Sequence, residues 1–469
     1  VENYAVAARS FERAQAFAEK YGFSKAYGSY EEMLADPQVD LVYIATDWLH
    51  HFPVAKCALE NGKNVAIEVP STMNLKECWE LVDLSEKNRK HCMILENCCY
   101  DWFEMNTLNM AQHGVFGEVI RAQGAYIHNL APFWKHYWKK GEDDKLGWRL
   151  DYNMRHRGDV YATHGLGPVA QALNIHRGDR METLVAMDTK SVVGKDLVKE
   201  NADSVCNSFR NGDHTTTLIR TANGKVIEIQ HNVMTPQPYN RLYQLTGTKG
   251  FANKYPTQGY ALDAEQLKAS GVQPKVDDLN SHGFMPREEL VALVEKYQHP
   301  ILKKYGEMAK EVGGHGGMDF IMDSRLVYCL QNGLPLDMDV YDLAEWCCLA
   351  ELGELSMDNG CASVAFPDFT RPETRTWWSG LYKDFMANGI DGIWNDMNEP
   401  SVFDGPGGTM PENNIHLGGG NLPIGSHLMY HNAYGRLMVE ASYNGMMAAN
   451  PSKRPFLLSR SNIIGGQRY

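Results

Sequence analysis

Acidic side chains follow directly after an apolar run near residue 390. The run Gly389–Trp394 has the composition of a buried strand, and Asn395-Asp-Met-Asn-Glu399 comes immediately after it. In a (β/α)8 barrel the catalytic residues lie just past the carboxyl ends of the strands. Asp396 and Glu399 are therefore candidate catalytic carboxylates.

A second candidate is a histidine set between glycines. His315 lies in Gly313-Gly-His-Gly-Gly317, and glycines let a ligand approach the backbone closely. The chain has 17 histidines, and most histidines serve the core or the surface. His315 is therefore interpreted either as a ligand-binding residue or as an ordinary surface residue.

The elements that must position such groups alternate between strand and helix at the start of the chain. Ser10 has the character of a helix N-cap, and Gly22 would end that helix. Apolar runs then alternate with amphipathic segments, as in a doubly wound parallel sheet. The predicted strands are 5–8, 40–46 and 63–68, and the predicted helices are 11–22, 52–61 and 74–87.

A phosphate-binding turn is the part of such a domain that the sequence does not show. No G-x-G-x-x-G occurs before residue 46, and the chain opens with the features of a second strand. That turn holds the cofactor pyrophosphate at a helix N-terminus. We therefore expect a truncated Rossmann-type domain with reduced affinity for a dinucleotide.

The middle of the chain predicts an α/β domain with an open, mostly antiparallel sheet. Runs at 215–220 and 225–230 alternate in polarity and meet at Asn223-Gly224, a strong hairpin signal. The other face of such a sheet can meet a second copy of the chain, so we predict a homo-oligomer. A helix is expected over 340–357.

From residue 366 the pattern changes to that of a partial (β/α)8 barrel. Thr370 and Glu373 have capping-box spacing, which predicts a helix that ends near Asn388. Strands are expected at 389–394 and 455–459. The predicted fold class is therefore α/β, with domains at 1–120, 121–366 and 367–469.

Composition excludes several classes of partner. The chain has 469 residues and a formal net charge of −13, which argues against nucleic acids and anionic membranes. No segment is long and apolar enough to span a bilayer. The ten cysteines lack ligand-like spacing, so no metal site is predicted, and the compartment is left open.

Several motifs of the first 371 residues resemble those of one enzyme family. They are Thr46-Asp-Trp-Leu-His-His51, Glu68-Val-Pro70, Leu95-Glu-Asn-Cys-Cys-Tyr100, Tyr161-Ala-Thr-His164 and Gly313-Gly-His-Gly-Gly-Met-Asp319. Residues 46–371 thereby resemble glycoside hydrolase family 109, the NAD-dependent α-N-acetylgalactosaminidases of the Gfo/Idh/MocA superfamily. Oxidoreductases of that superfamily carry Glu-Lys-Pro, and the Lys position is Val69 here. Ala162 departs from the family, which usually has Pro there.

The resemblance implies a redox-assisted elimination on a small carbohydrate. Hydride passes from sugar C3 to NAD⁺, a base removes the proton on C2, the C1 substituent leaves, water adds, and the hydride returns. His164, Tyr161 and Tyr126 are the implied base candidates, since the base must titrate near neutrality. The implied cofactor residues are Trp48, Leu49, His50, His51, Glu68, Val69, Asn97 and Tyr161, and the implied sugar residues are Tyr126, Arg149, Tyr161, Ala162, Thr163, His164, Tyr239 and His315.

Residues 366–469 resemble a different family, the α-glucosidases of glycoside hydrolase family 31. The matching strings are Phe366-Pro-Asp-Phe-Thr-Arg-Pro372, Trp394-Asn-Asp-Met-Asn-Glu-Pro400 and Arg454-Pro-Phe-Leu-Leu-Ser-Arg-Ser461. The resemblance places Asp396 at the nucleophile and Arg468 at a substrate-binding arginine. The family's acid lies beyond Tyr469, so we expect this segment to be inactive.

Three interpretations remain at this stage. The leading one is a family-109-like glycosidase followed by a fragment of family 31, joined at Pro367–Arg371. The second is an NAD(P)-dependent sugar oxidoreductase of the same superfamily, which Arg9-Ser10 at the end of the second strand would suit. The third is an inactive chimeric product.

Overall fold

The computed structural model divides the chain into two compact units. The first comprises Val1–Arg180 and Met187–Glu354, and the second comprises Met181–Ala186 and Leu355–Tyr469. The structure describes residues 2–130, 132–133, 147–200, 208–271, 283–365, 372–387, 392–395, 398, 400, 409–410, 414–459 and 461.

The first unit begins with five short parallel strands in two separate sheets. Ala5–Ala7 pairs with Lys25–Tyr27 in one sheet. Leu41–Ile44, Asn64–Ile67 and Cys92–Ile94 form the other, with Asn64–Ile67 in the centre. Val65, Ala66 and Ile67 are fully buried, as expected for a strand covered on both faces. The helices of this part are Phe11–Tyr21, Tyr30–Ala35, Trp48–Glu60, Leu75–Asn88 and Trp102–Gln112, with a 3₁₀ turn at Asn97–Tyr100.

Local signals set the ends of several of these helices. The Ser10 hydroxyl accepts a hydrogen bond from the Arg13 amide at 3.4 Å. Asn74 caps its helix in the same way, through the Glu77 amide at 3.0 Å. Gly22 follows the first helix with φ of 75°, a left-handed conformation that glycine adopts without strain.

The larger sheet of the first unit is mixed. Val119–Ile127 runs parallel to Val226–Asn232 and antiparallel to Tyr243–Gly247. The predicted hairpin is confirmed, because Thr215–Thr221 pairs antiparallel with Val226–Asn232. The sheet continues through Gly250–Asn253 and Gly259–Leu262.

One face of this sheet is open. Along Thr215–Thr221 buried residues alternate with Leu218 and Arg220, which are exposed. Arg121 and Gln123 both donate to Glu228 on this face, at 2.5 and 2.7 Å. Assembly of two copies through the open face stays a prediction.

Helix Thr163–Ala172 packs directly on strand Val119–Ile127. Gly165 makes this possible, since a Cβ at that position would lie 2.7 Å from the Ala125 amide nitrogen. The backbone of the helix at Gly165 therefore contacts the backbone of the strand at Ala125 directly, with no side chain between them. The other helices that begin in this unit are Trp148–Arg155, Val193–Glu200, Ala264–Ala269, Arg287–Lys296, Pro300–Val312, Met318–Asn332 and Val340–Asp358.

The second unit contains a two-stranded sheet, further short strands and a long helix. Gly392–Asn395 pairs in parallel with Phe456–Ser459, so the two strands predicted at 389–394 and 455–459 are neighbours. Helix His427–Ala449 packs with Pro372–Gly380 and Tyr382–Ala387 through a core that includes Tyr382, Val439 and Met446. Three further short strands of this unit are Val364–Ala365, Ile415–His416 and Gly425–Ser426. Val364–Ala365 pairs with Thr183 and Leu184 on one side and with Ile415–His416 on the other, and Ile415–His416 pairs with Gly425–Ser426.

Two helix predictions need correction. The helix expected from residue 52 begins at Trp48, with Asp47 as its extended N-cap, and Pro53 lies inside it. Pro53 is the sixth residue of this helix, so its missing N–H removes the hydrogen bond that would otherwise reach the Leu49 carbonyl. The single helix expected up to Asn388 is two helices, which end at Gly380 and Ala387.

None of the helices among the described residues is long and apolar enough to cross a membrane. The predicted domain boundaries at 120 and 366 stay predictions.

Candidate active site

Three parallel strands of the first unit end beside one another and carry polar or aromatic side chains there. Trp48 follows Leu41–Ile44 by four residues, Glu68 follows Asn64–Ile67 directly, and Glu96 follows Cys92–Ile94 by two. Carboxyl ends of parallel strands are where open α/β sheets bind their ligands. The candidate site lies at this edge.

A buried carboxylate holds the imidazole of His164. Nδ1 of His164 lies 2.6 Å from Oε1 of Glu96, whose side chain is fully buried. Nε2 makes no hydrogen bond to the described residues, and 14% of the His164 side chain is exposed. One ring nitrogen is therefore fixed, and the other is open to a ligand.

Cys98 extends this contact toward an arginine. Its Sγ lies 3.2 Å from Nδ1 of His164, and Nη1 of Arg241 donates to the same sulfur at 2.7 Å. Donor atoms of Glu96, Cys98 and His164 lie within 4.8 Å of one another, a spacing that a metal ion could use. The guanidinium of Arg241 already brings positive charge to this sulfur, so a cation would have to compete with it.

A network of ion pairs holds Arg241 in place. Arg241 donates to Asp101 at 2.9 Å, and Lys254 donates to Asp101 at 2.8 Å. Lys254 also donates to both oxygens of Glu104, at 2.7 and 2.8 Å. Burial raises the pKa of Glu104 to about 7 despite that partner. The network fixes Arg241, and Arg241 in turn fixes the Cys98 sulfur beside His164.

Aromatic rings and a guanidinium form one wall of the site. The rings of Trp48 and Tyr161 are stacked, with centroids 5.2 Å apart and planes 14° apart. The guanidinium of Arg149 lies 5.1 Å from the Trp48 ring and 5.2 Å from the Tyr161 ring. Such contacts fix a cation while its outer nitrogens stay available for hydrogen bonds.

Tyr126 links this wall to His164. Its ring centroid lies 5.0 Å from that of Tyr161 and 5.3 Å from that of His164. The Tyr126 hydroxyl lies 3.0 Å from Nδ1 of His128, and burial raises the pKa of Tyr126.

Tyr239 lies at the outer end of the same set. Its ring meets His128 edge to face at 5.0 Å, and 45% of its surface is exposed. An open cavity of about 390 Å³ lies beside it, lined by Ile127, Gln230, Gln237, Pro238, Tyr239, Asn240, Tyr255 and Pro256.

A second group of polar side chains lies around Glu68. The Tyr43 hydroxyl donates to Glu68 at 3.2 Å, and burial raises the pKa of that carboxyl. Asn97 donates to Asp319 at 2.8 Å, and His315 contacts the other oxygen of Asp319 at 2.8 Å.

Asp323 belongs to the same group. Burial, with Asp319 and Glu68 nearby, raises the pKa of Asp323 to about 6. Its Oδ1 is buried without a hydrogen-bond partner among the described residues.

Some sequence-predicted residues do not enter either group. Leu49 is half exposed, and His50 contacts Asp47 at the surface at 2.7 Å. His51 is buried, with its ring nitrogens 2.7 and 3.0 Å from the carbonyl oxygens of Pro70 and Thr46. His51 therefore ties two strand ends together, and its role toward a cofactor stays a prediction.

The remaining predictions have mixed outcomes. Val69 is buried before Pro70, and Ala162 and Thr163 are buried beside His164. Asp396 and Arg468, the two candidates from the barrel-like segment, lie outside the described residues. Their roles stay predictions.

Sequence reasoning missed Glu96, Cys98 and Arg241. Glu96 and Cys98 stand in a string that the sequence did single out, Leu95-Glu-Asn-Cys-Cys-Tyr100, and a carboxylate just past a buried strand was the available signal. Arg241 had no such signal. It lies 143 residues from the cysteine it contacts.

The residues around Glu68 fit the nicotinamide half of a dinucleotide. A carboxamide and ribose hydroxyls offer donors, and the buried Oδ1 of Asp323 lacks one among the described residues. The Asn97 amide lies beside it, held by Asp319.

Comparison with known proteins concerns the fold and the cofactor class. Residues 2–96 match the oxidoreductase family with an NAD-binding Rossmann fold. A solved structure of levoglucosan dehydrogenase in complex with NADH superposes with a TM-score of 0.55 at 17% identity, over 78% of this chain and 90% of that one. The predicted α/β class, Rossmann fold and NAD cofactor are confirmed.

The end of the chain matches a different family. Residues 304–469 match the TIM-barrel domain of glycosyl hydrolases family 31, as predicted from the motifs after residue 366. A second family match covers residues 100–377, so the two matches share residues 304–377. The position of a junction at Pro367–Arg371 stays a prediction.

The remainder of the first unit identifies the family. Residues 100–377 match the C-terminal domain of glycosyl hydrolase 109. Glycosyl hydrolase family 109 protein 5 of Phocaeicola vulgatus is 86% identical over 344 residues, which cover 73% of this chain and 66% of that protein. Family 109 protein 1 of Bacteroides thetaiotaomicron is 57% identical over 366 residues, 77% of each chain. This chain, which spans about two thirds of the first relative, therefore belongs to glycosyl hydrolase family 109.

Proposed function

We propose that this chain is an NAD-dependent glycosidase that cleaves α-N-acetylgalactosaminides by oxidation, elimination and reduction. The observation that carries the proposal is the His164–Glu96 contact at the ends of the strands of an NAD-binding fold. An imidazole with one nitrogen held by a carboxylate and the other open is suited to act as a general base.

The proton that this base would remove is the one on sugar C2. NAD⁺, when bound, would supply the hydride acceptor and later the donor. Nε2 of His164 carries the free electron pair when Nδ1–H donates to Glu96. His164 would therefore accept the C2 proton at Nε2.

Arg149 and the tyrosines are proposed to hold the sugar. The guanidinium of Arg149 is fixed by two rings and can donate to a sugar hydroxyl or acetamido oxygen. The ring centroids of Tyr126 and Tyr161 lie 5.3 and 4.8 Å from that of His164. The cavity beside Tyr239 has the volume of a small-ligand site.

A net oxidoreductase is the less well supported alternative. The position that carries lysine in dehydrogenases of the superfamily is Val69, which is 6% exposed and apolar. Both reactions oxidise a sugar carbon, so Val69 separates them only as a sequence feature. Lysine is typical of the superfamily's dehydrogenases, and its absence here favours the glycosidase.

The test uses the full chain with 4-nitrophenyl α-N-acetylgalactosaminide in D₂O. We expect release of nitrophenol that depends on added NAD⁺, deuterium at C2 of the product, and no net NADH. His164→Gln should abolish release and C2 exchange. His91→Gln, at an exposed site away from these groups, is the matched control.

Other outcomes separate the alternatives. Steady NADH production from a free sugar would favour the oxidoreductase. Glucose release from maltose that is lost in Asp396→Ala would assign chemistry to the barrel-like segment. Nitrophenol release that persists without NAD⁺, or in His164→Gln, would contradict the proposal.

A further inference from the structure

Glu96 has a role that neither the motif nor the family match assigns to it. We propose that Glu96 is the positioning residue of His164: it fixes the ring so that Nδ1 carries the proton and Nε2 faces the substrate. This inference rests on the proposed function for its catalytic meaning. The geometry of the pair can be tested without that function.

The carboxylate of Glu96 has little freedom to move. Its side chain is fully buried, and Oε1 accepts a further hydrogen bond from the Cys98 amide at 3.2 Å. Gly167 closes the other side, since a Cβ there would lie 2.9 Å from both Cγ of Glu96 and Cζ3 of Trp346. The helix that carries His164 thus also encloses the group that holds it.

The hydrogen-bond pattern decides the tautomer. An ionised carboxylate only accepts hydrogen bonds, so the 2.6 Å contact requires a proton on Nδ1 of His164. The neutral ring then has its free electron pair on Nε2. Cys98 Sγ, at 3.2 Å from Nδ1, adds a second acceptor on the same side of the ring.

The charge of Glu96 also acts on His164. Burial alone would raise the pKa of Glu96, but the contact with His164 outweighs it and keeps that pKa below its ordinary value. Oε2 has no hydrogen-bond partner among the described residues, so His164 is the principal group that offsets the charge. A buried carboxylate thereby stabilises the imidazolium that forms when His164 accepts a proton.

Other titratable groups face the pair and enter any pH dependence. Arg241 donates to Cys98 and Arg149 contacts the Tyr161 ring, so both bring positive charge beside the pair, whereas Glu68 brings negative charge near Glu96. The uncharged neighbours are Cys98, Cys99, Tyr126, Tyr161 and His128. Among these groups Glu96 is the carboxylate that hydrogen-bonds directly to the His164 ring. Removing its charge should therefore change the pH dependence more than removing any of the others.

Glu96→Gln removes the charge and keeps the size of the side chain. We expect kcat to fall by about 10²-fold or more while KM changes by less than about threefold, since the sugar contacts remain. The acid limb of the pH–rate profile should move to lower pH, because the imidazolium is less stable without the carboxylate. Glu96→Asp should restore the wild-type limb in part.

Glu289→Gln is the matched control, because Glu289 is a buried carboxyl on a different helix. It should leave kcat and the pH profile unchanged. A Glu96→Gln variant that melts with wild-type Tm, binds NAD⁺, and keeps both kcat and the acid limb would overturn the inference.

A second measurement needs no stable Glu96 variant and no turnover. Histidine ring ¹⁵N NMR of the wild-type chain, with His164 assigned through His164→Gln, reports which nitrogen carries the proton. We expect protonated Nδ1 and unprotonated Nε2 in the neutral ring. The opposite tautomer would refute the role of Glu96, whereas the expected tautomer in a chain without glycosidase activity would refute only the proposed function.

Discussion

Asp159 should make the first unit less stable as the pH rises toward 8, and Asp159→Asn should remove this effect. The carboxyl is fully buried, two residues before Tyr161. The Thr217 hydroxyl donates to Oδ2, and Oδ1 has no partner among the described residues. Burial, partly opposed by that hydrogen bond, raises the pKa of Asp159 to about 7.

The sign and size follow from the two protonation states. With a pKa of 3.8 when unfolded and about 7 when folded, the group favours unfolding increasingly as the pH rises from 4 to 7. The two pKa values differ by about 3 pH units, and each unit corresponds to about 1.36 kcal/mol. The native state is therefore destabilised by about 4 kcal/mol, and this effect reaches its full size at pH 8. At pH 4 and below the effect vanishes, because both states are protonated.

Urea unfolding followed by circular dichroism at pH 5 and pH 8 measures this directly. Relative to wild type, Asp159→Asn should be more stable at pH 8 by up to about 4 kcal/mol. At pH 5 this advantage should be smaller by about 3 kcal/mol, because each pH unit between 5 and 7 contributes about 1.4 kcal/mol. Asp40→Asn, an exposed control, should match wild type at both pH values. The reasoning fails if Asp159→Asn and wild type lose the same stability between pH 5 and pH 8.

Three further predictions concern other parts of the first unit. Lys254→Met leaves Glu104 buried without its cation and Asp101 with Arg241 alone, so urea unfolding should show a loss of about 3–5 kcal/mol that adding Glu104→Gln partly reverses. Arg149→Met should raise KM about tenfold, for a loss of about 1–2 kcal/mol of sugar binding, with NAD⁺ affinity unchanged by calorimetry. Gly224→Ala should cost about 1 kcal/mol in the same urea assay, because its φ of 77° strains an L-residue although nothing lies within 4 Å.

Local chemistry explains which elements could be predicted from the sequence. Ser10, Asn74 and Gly22 act on backbone groups within four residues, so their meaning is present in the sequence itself. The hairpin at Asn223-Gly224 is equally local. Helix Trp48–Glu60 begins four residues before the predicted start at Phe52.

Contacts between distant segments explain what could not be predicted. His164 and Tyr161 were found through a motif, but the group that holds His164 lies 68 residues away, at Glu96. Arg241 reaches Cys98 across 143 residues, and no periodicity marks it. The histidines at 50 and 51 show a further effect that the motif did not indicate, since both have intramolecular hydrogen-bond partners, and their cofactor role stays a prediction.

The contact of Gly165 with Ala125 has a consequence for how this site can change over time. With no side chain between helix and strand, the spacing of His164 and Tyr126 is set by two backbones in contact. Substitutions among the surrounding core side chains alter volumes and rotamers but leave that spacing in place. A scaffold of this kind can acquire new side chains around the site, and so bind other ligands, while the distance between His164 and Tyr126 stays the same.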